Sequence, residues 1–142
     1  MPDHPTDPDC IFCKIIAGQI PSFKIYEDEA VFAFLDIGPL THGHALVIPK
    51  AHHATVMTIP PETLAAAAAR VPTLAKALLA ATGAPACHVL INNGEEALQS
   101  VHHLHIHIIP RSSDDGFTIP WKTTPLDKQS APALVQQIRA RL

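Results

Sequence analysis

The chain has little net charge and little cysteine, and both shortages narrow what it does. Among its 142 residues, ten Lys and Arg stand against thirteen Asp and Glu, giving a formal charge of −3 and a pI near 6.3. That balance offers no broad basic footprint for a phosphate backbone, so nucleic acid is not an expected partner. No stretch approaches the roughly 18 consecutive apolar residues of a membrane span, and the expectation is a soluble, cytoplasmic protein without a membrane partner. Three cysteines are too few for a disulfide framework, and a chain of this length buries roughly 68% of its unfolded surface without one. There is no internal repeat and no composition break that would mark a second domain.

What is present reads as one domain, residues 10–142, behind an acidic, proline-containing leader, residues 1–9, expected to be flexible. Phe23–Tyr26 and Ala30–Leu35 flank the acidic turn Glu27-Asp28-Glu29 and suggest a β-hairpin. A third strand is expected over His44–Ile48, ended by Pro49. Pro60-Pro61-Glu62 opens an alanine-rich helix that runs to Thr82 and stops at Gly83, with Pro72 expected to kink or split it. Cys87–Ile91 and His103–Ile109 are the strongest strand signals, with the polar loop Asn92–Ser100 between them, and Ala131–Leu142 suggests a short terminal helix. Strands, one long helix and further strands, without a repeated βαβ unit, indicate an α+β fold with a largely antiparallel sheet. Cys87 reads as a packing residue in an apolar run, and His4 as inert.

The most informative segment is His103-Leu104-His105-Ile106-His107-Ile108. A strand sends alternate side chains to opposite faces, so three imidazoles share one face and the apolar residues share the other. Lys, Thr or Glu would serve as well on a merely wet face, so three titratable rings call for metal ligation or for nucleophilic and acid/base chemistry. Cys10-Ile-Phe-Cys13 is half of a tetrahedral zinc site or a redox dithiol. His102 falls on the apolar side of the alternation and reads as a packed or interface residue.

Together with Cys10-Ile-Phe-Cys13-Lys-Ile-Ile-Ala-Gly, Ala33-Phe-Leu-Asp36-Ile, Gly43-His44-Ala-Leu-Val-Ile-Pro-Lys50, Asn92-Asn93-Gly94 and Gln99-Ser100-Val101, this segment resembles the histidine-triad superfamily of nucleotide hydrolases and transferases. Within it the chain is most similar to small bacterial dimeric proteins related to the Hint nucleoside phosphoramidases. The resemblance implies a HIT-like fold of five antiparallel strands, a homodimer across which the sheet extends, and cleavage at the α-phosphate of AMP-type substrates, nucleoside phosphoramidates or dinucleoside polyphosphates.

It also implies roles for individual residues. His105 would attack phosphorus, forming a nucleotidyl-histidine that water hydrolyses, with His107 as proton donor and His44 as a fourth catalytic histidine. Asp36 would accept from the ribose hydroxyls and Ile37 would contact the purine nucleoside. Asn92, Gln99 and Ser100 would hold the phosphate or the leaving group. One structural zinc per chain would be held by Cys10, Cys13, His52 and His103, with His53 able to replace His52. The chain departs from the family at Leu98, where glycine is usual. Two rivals remain: a zinc hydrolase with His103, His105 and His107 on a catalytic metal, and a non-catalytic nucleotide-binding regulatory module.

Overall fold

Asp28 closes the first hairpin by accepting at Oδ1 from the backbone N–H groups of Ala30 (2.9 Å) and Val31 (2.8 Å), a local turn that only a short acceptor side chain makes. The flanking segments are β1, Lys24–Glu27, and β2, Val31–Leu35. In the computed structural model, which describes residues 3–142, these join β3, Ala45–Pro49, β4, Ala86–Ile91, and β5, Ile106–Arg111. The five strands form one sheet in the order β1-β2-β3-β5-β4, each neighbouring pair antiparallel.

Both faces of the sheet are covered, which explains why β2 and β3 are apolar throughout. Val31, Ala33, Ala45, Val47, Leu104, Ile106 and Ile108 pack with Ala67, Leu74 and Leu78 of the helical layer. Phe32, Phe34, Leu46 and Ile48 face the other way, onto Cys10, Phe12, Cys13 and Ile15 of α1, Ile11–Ile16, and its cap. The alternation of period two therefore divides the molecule into a helix-covered side and a site side.

The single long helix expected over residues 61–82 is two helices, α2, Pro61–Ala68, and α3, Val71–Thr82. Pro72 falls in the first turn of α3, where its missing N–H breaks no intrahelical bond, so the chain splits rather than kinks. Gly83, at φ 74°, ends α3 by donating its N–H to the carbonyl of Leu79 at 2.9 Å. By length and composition Pro61–Thr82, mean hydropathy 1.4, is apolar enough to cross a membrane, contrary to the expectation that no stretch approaches a span. Here it breaks at Arg70 and lies on the sheet.

The last strand starts later than expected. His103 and His105 precede β5, because the Pro49 carbonyl that would extend the β3–β5 ladder instead accepts from Nε2–H of His103 at 2.7 Å. The terminal helix, α4, is Ala131–Arg139 rather than 131–142. Of the leader, Met1 and Pro2 lie outside the described residues; Pro5 and Asp7 are tied to the body by hydrogen bonds from His52 N–H to Pro5 O (2.8 Å) and from Asp7 N–H to Cys13 Sγ (3.5 Å).

Candidate active site and metal cluster

Cys10 caps α1, its sulfur accepting from Cys13 N–H at 3.4 Å, so one turn of helix brings both thiols to the same side. His52 follows β3 and His103 approaches β5, and the donor atoms of the four residues all lie within 4.8 Å of one another. His103 Nδ1 lies 3.5 Å from Cys10 Sγ, 3.7 Å from Cys13 Sγ and 3.2 Å from His52 Nδ1, and Cys13 Sγ lies 3.5 Å from His52 Nδ1. Tetrahedral zinc with bonds of roughly 2.0 Å to nitrogen and 2.3 Å to sulfur implies ligand separations of about 3.3 Å for N···N and about 3.5 Å for N···S. The donor set and its spacing fit that metal.

The protonation of the rings suits it as well. Because Nε2 of His103 donates to Pro49, its Nδ1 keeps a free lone pair towards the cluster. Burial pushes the His103 ring down to about 4, which keeps it neutral, and pushes the Cys13 thiol up to about 11, a cost that a divalent cation reverses. His53 lies outside the cluster; its carbonyl accepts from Leu104 N–H at 2.7 Å.

The second group of rings forms a directed chain. Leu40 N–H donates to Nδ1 of His44 (3.0 Å), so the His44 proton sits on Nε2 and is donated to Nδ1 of His107 (2.9 Å). The proton of His107 then sits on Nε2, the one buried side-chain nitrogen or oxygen without a partner among the described residues. His105 is set the opposite way round: its Nδ1–H donates to the carbonyl of His103 at 2.7 Å, leaving a lone pair on Nε2. The two rings pack with centroids 4.8 Å apart. Burial lowers the pKa of His44 and His105, and burial together with the neighbouring rings lowers His107 to about 4. At neutral pH the site thus holds one lone-pair nitrogen and one N–H side by side.

A cleft of about 250 Å³ opens beside these rings, walled by Ile11, Phe12, Phe34, Leu46 and Ile37, with Ser22, Asp36, Ser100, His105 and His107 as its polar members. Phe12 stands edge-on to His105 (5.1 Å) and to His103 (5.8 Å), so one ring touches both the cleft and the metal cluster. Asp36 follows β2 and splits its carboxylate, Oδ1 accepting from Gly38 N–H (2.8 Å) and Oδ2 lying 3.7 Å from His44 Nε2.

Other expected residues are placed differently. His44 stands behind His107 rather than on the cleft wall, and Asn92 is not part of that wall. Gln99 is 5% exposed and its amide is spent on the loop, accepting from Gly94 N–H and donating to the carbonyls of Ala54 and Val101. It is a brace for the loop, not a free phosphate donor. Leu98 stands at φ 67° and is 81% exposed. His102 is exposed, because the chain turns there instead of continuing a strand, and Cys87 is half-buried against the core. The triad rings do not converge as a metal site: His103 belongs with the cysteines, and the other donor cluster is Asp36, His44 and His107.

The sequence reading missed α1 and the cleft walls that it brings, Ile11 and Ile15. Their signal was present, since Ile11, Phe12, Ile15 and Ile16 recur at helical spacing just after Asp7-Pro8-Asp9. It also missed the backbone of Leu40, which sets the direction of the imidazole chain and has no signature in any side chain.

An open antiparallel sheet that presents buried imidazoles beside an apolar cleft, with a Cys₂His₂ cluster at one end, defines a histidine-based site class. The HIT domain family model matches residues 17–114, leaving α1 and α4 outside the match, and the chain belongs to the HIT family. Among relatives, an Arabidopsis thaliana protein named adenylylsulfatase HINT3 is 43% identical over 94% of this chain and 70% of its own length. The Saccharomyces cerevisiae adenosine 5′-monophosphoramidase HNT1 is 43% identical over 96% of this chain and 84% of its own. The crystal structure of SMU.412c from Streptococcus mutans superposes with a TM-score of 0.92 at 43% identity, covering 96% of this chain and 87% of that one. A Zn-bound histidine triad family protein from Mycobacterium smegmatis superposes at 0.74 with 36% identity, covering 94% and 98%.

Proposed function

We propose that this chain is a nucleotide hydrolase or nucleotidyl transferase that cleaves at the α-phosphate of AMP joined to an amine, a sulfate or a further phosphate. The observation that carries the reading is the pairing of a free lone pair on His105 Nε2 with the unpartnered N–H on His107 Nε2 beside one cleft. Nε2 of His105 attacks phosphorus, forming a P–N bond as the bond to the leaving group breaks. His107 donates to a phosphate oxygen or to the departing group, stabilising charge that develops in the transition state. Water then attacks phosphorus, the P–N bond breaks, the water's proton is released to solvent, and AMP leaves with the His105 lone pair restored. Relatives named for phosphoramidate and adenylyl-sulfate cleavage support this class of bond. Asp36 and Ile37 serve the nucleoside, and Ser100 the phosphate end.

Cys10, Cys13, His52 and His103 would hold one zinc per chain, a closed structural site that joins α1 to β3 and β5, and the Zn-bound relative supports that metal. The cytoplasm, as a reducing compartment, keeps both thiols available. The molecule acts as a homodimer: β4 is an open sheet edge, and an apolar groove of about 510 Å³ between Val71, Pro72, Val89 and Ile91 runs beside it.

The test is an intact-mass measurement of the protein mixed with adenosine 5′-phosphoramidate and quenched in base, which preserves the acid-labile P–N bond. An adenylyl adduct on His105, absent from His105→Ala together with turnover while nucleotide still binds, is the expected result. Binding without adduct or turnover in the unmodified protein would favour the regulatory module, and substantial turnover by His105→Ala would refute the nucleophile.

A further inference from the structure

The two histidines of the metal cluster are backed by different acceptors. His103 Nε2 donates to Pro49 O at 2.7 Å, a carbonyl fixed in the sheet. His52 also turns Nδ1 into the cluster, so with a metal bound there its proton would be on Nε2, and the acceptor in front of that nitrogen is Oδ2 of Asp7 at 3.9 Å, on the leader. A small swing of the Asp7 side chain brings the pair within hydrogen-bond distance. The same short segment touches the cluster twice more: Asp7 N–H donates to Cys13 Sγ at 3.5 Å, and Pro5 O accepts from His52 N–H at 2.8 Å. Asp7 is itself held, its Oδ1 accepting from Asp9 N–H (2.8 Å) and its carbonyl from Cys10 N–H (3.1 Å).

We propose that the segment Pro5–Asp9 is the outer wall of the metal cluster and that Asp7 is its positioning residue, fixing the His52 ring through Nε2. This rests on the reading of Cys10, Cys13, His52 and His103 as a zinc site. A carboxylate behind a ligating imidazole fixes its tautomer and raises its basicity, and loss of such a partner weakens metal binding by about 10- to 100-fold. Because a coupling between two events is reciprocal, zinc must in turn hold the segment against the body. One wall of the cluster is therefore sheet and permanent, and the other is a strap that closes with the metal.

Full-length protein tests this by zinc competition against a chromophoric chelator, with hydrogen exchange followed at residues 5–9. Asp7→Asn keeps an oxygen for Asp9 N–H, so the turn survives, but removes the carboxylate opposite His52. The expected result is zinc affinity about 10-fold lower in Asp7→Asn, unchanged melting of the metal-free protein, and slower exchange at residues 5–9 on adding zinc to the parent. Asp9→Asn, which removes the same charge nearby, should bind zinc as the parent does. Equal affinity in Asp7→Asn and parent, or equal losses in Asp7→Asn and Asp9→Asn, would overturn the role of Asp7 while leaving the zinc site standing. A parent that binds no zinc would overturn both.

Discussion

Nε2 of His44 donates to Nδ1 of His107 across 2.9 Å, and that contact decides where the His107 proton points. Without it, His107 would be free to carry its proton on either nitrogen, and the N–H on Nε2 beside the cleft would be present only part of the time. The donor behind it, Leu40 N–H, is backbone and cannot invert, so the chain of protons runs one way, from the loop after β2 towards the substrate.

The rings are neutral at rest, and the pH dependence follows from that. The folded pKa of His107 is about 4 against 6.5 for a free histidine, so between those values the unfolded chain binds more protons than the folded one. The stability contribution is complete above about pH 6.5 and is lost as the pH falls towards 4. Thermal melts of the parent should show this decline, and His107→Gln should flatten part of it. The fall in kcat/KM should lie below the pH at which a free histidine titrates; a midpoint at pH 6.5 would contradict the burial of the rings.

Asp36 offers the sugar only one uncommitted oxygen, since Oδ1 is held by Gly38 N–H. If Oδ2 binds the ribose, removal of a hydroxyl leaves an acceptor unpaired at about 1–3 kcal/mol, or about fivefold and upward in affinity. AMP should outcompete its 2′-deoxy analogue by that factor, and Asp36→Ala should erase the preference while sparing attack at phosphorus. Equal inhibition of the parent by both nucleotides would leave Asp36 as a turn residue.

Leu98 holds a left-handed conformation that costs an L-residue about 1–2 kcal/mol, and at 81% exposure it recovers little by burial. Leu98→Gly removes the strain but gives the unfolded chain about 0.5–1 kcal/mol of entropy. The net expectation is a gain of up to about 1.5 kcal/mol in denaturant unfolding. Leu98→Ala, which keeps a Cβ, should gain nothing; equal effects of the two would mean that the strain is relieved elsewhere.

Double replacement of Cys10 and Cys13 by Ser should abolish metal content, about one zinc per chain in the parent, and lower the melting temperature by several degrees. Ribose selectivity should be retained. Elemental analysis with calorimetry checks both, and a metal-free parent that melts and turns over normally would remove the structural role.

The division of the sheet into two faces was legible because a period of two is local: Leu104, Ile106 and Ile108 lie on the helix side while His103 and His105 meet Phe12. The break near Pro72 was legible for the same reason. The helix α1 was not, being six residues long with a cysteine in place of the usual Ser, Thr, Asp or Asn cap. The bracing role of Gln99 was hidden because one of its partners, Ala54, is 45 positions away, and no pattern in the loop announces that contact. His102 was misplaced by carrying the alternation one residue beyond the point where the chain turns. The direction of the His44–His107 bond depends on a backbone N–H, which every residue but proline has, so composition cannot reveal it.

The segment from His103 to Ile109 belongs to two environments at once, each side chain committed to the face opposite that of its neighbours. Substitution within one face is a local event, a cavity or a lost donor. A change in length is not: inserting or deleting a single residue between His103 and His107 would send imidazoles into the aliphatic layer and isoleucines into the cleft. This stretch is therefore open to drift in composition and closed to indels. Tolerance to added length belongs instead to the exposed loop around Glu95–Leu98, whose ends are pinned by Asn93 and Gln99.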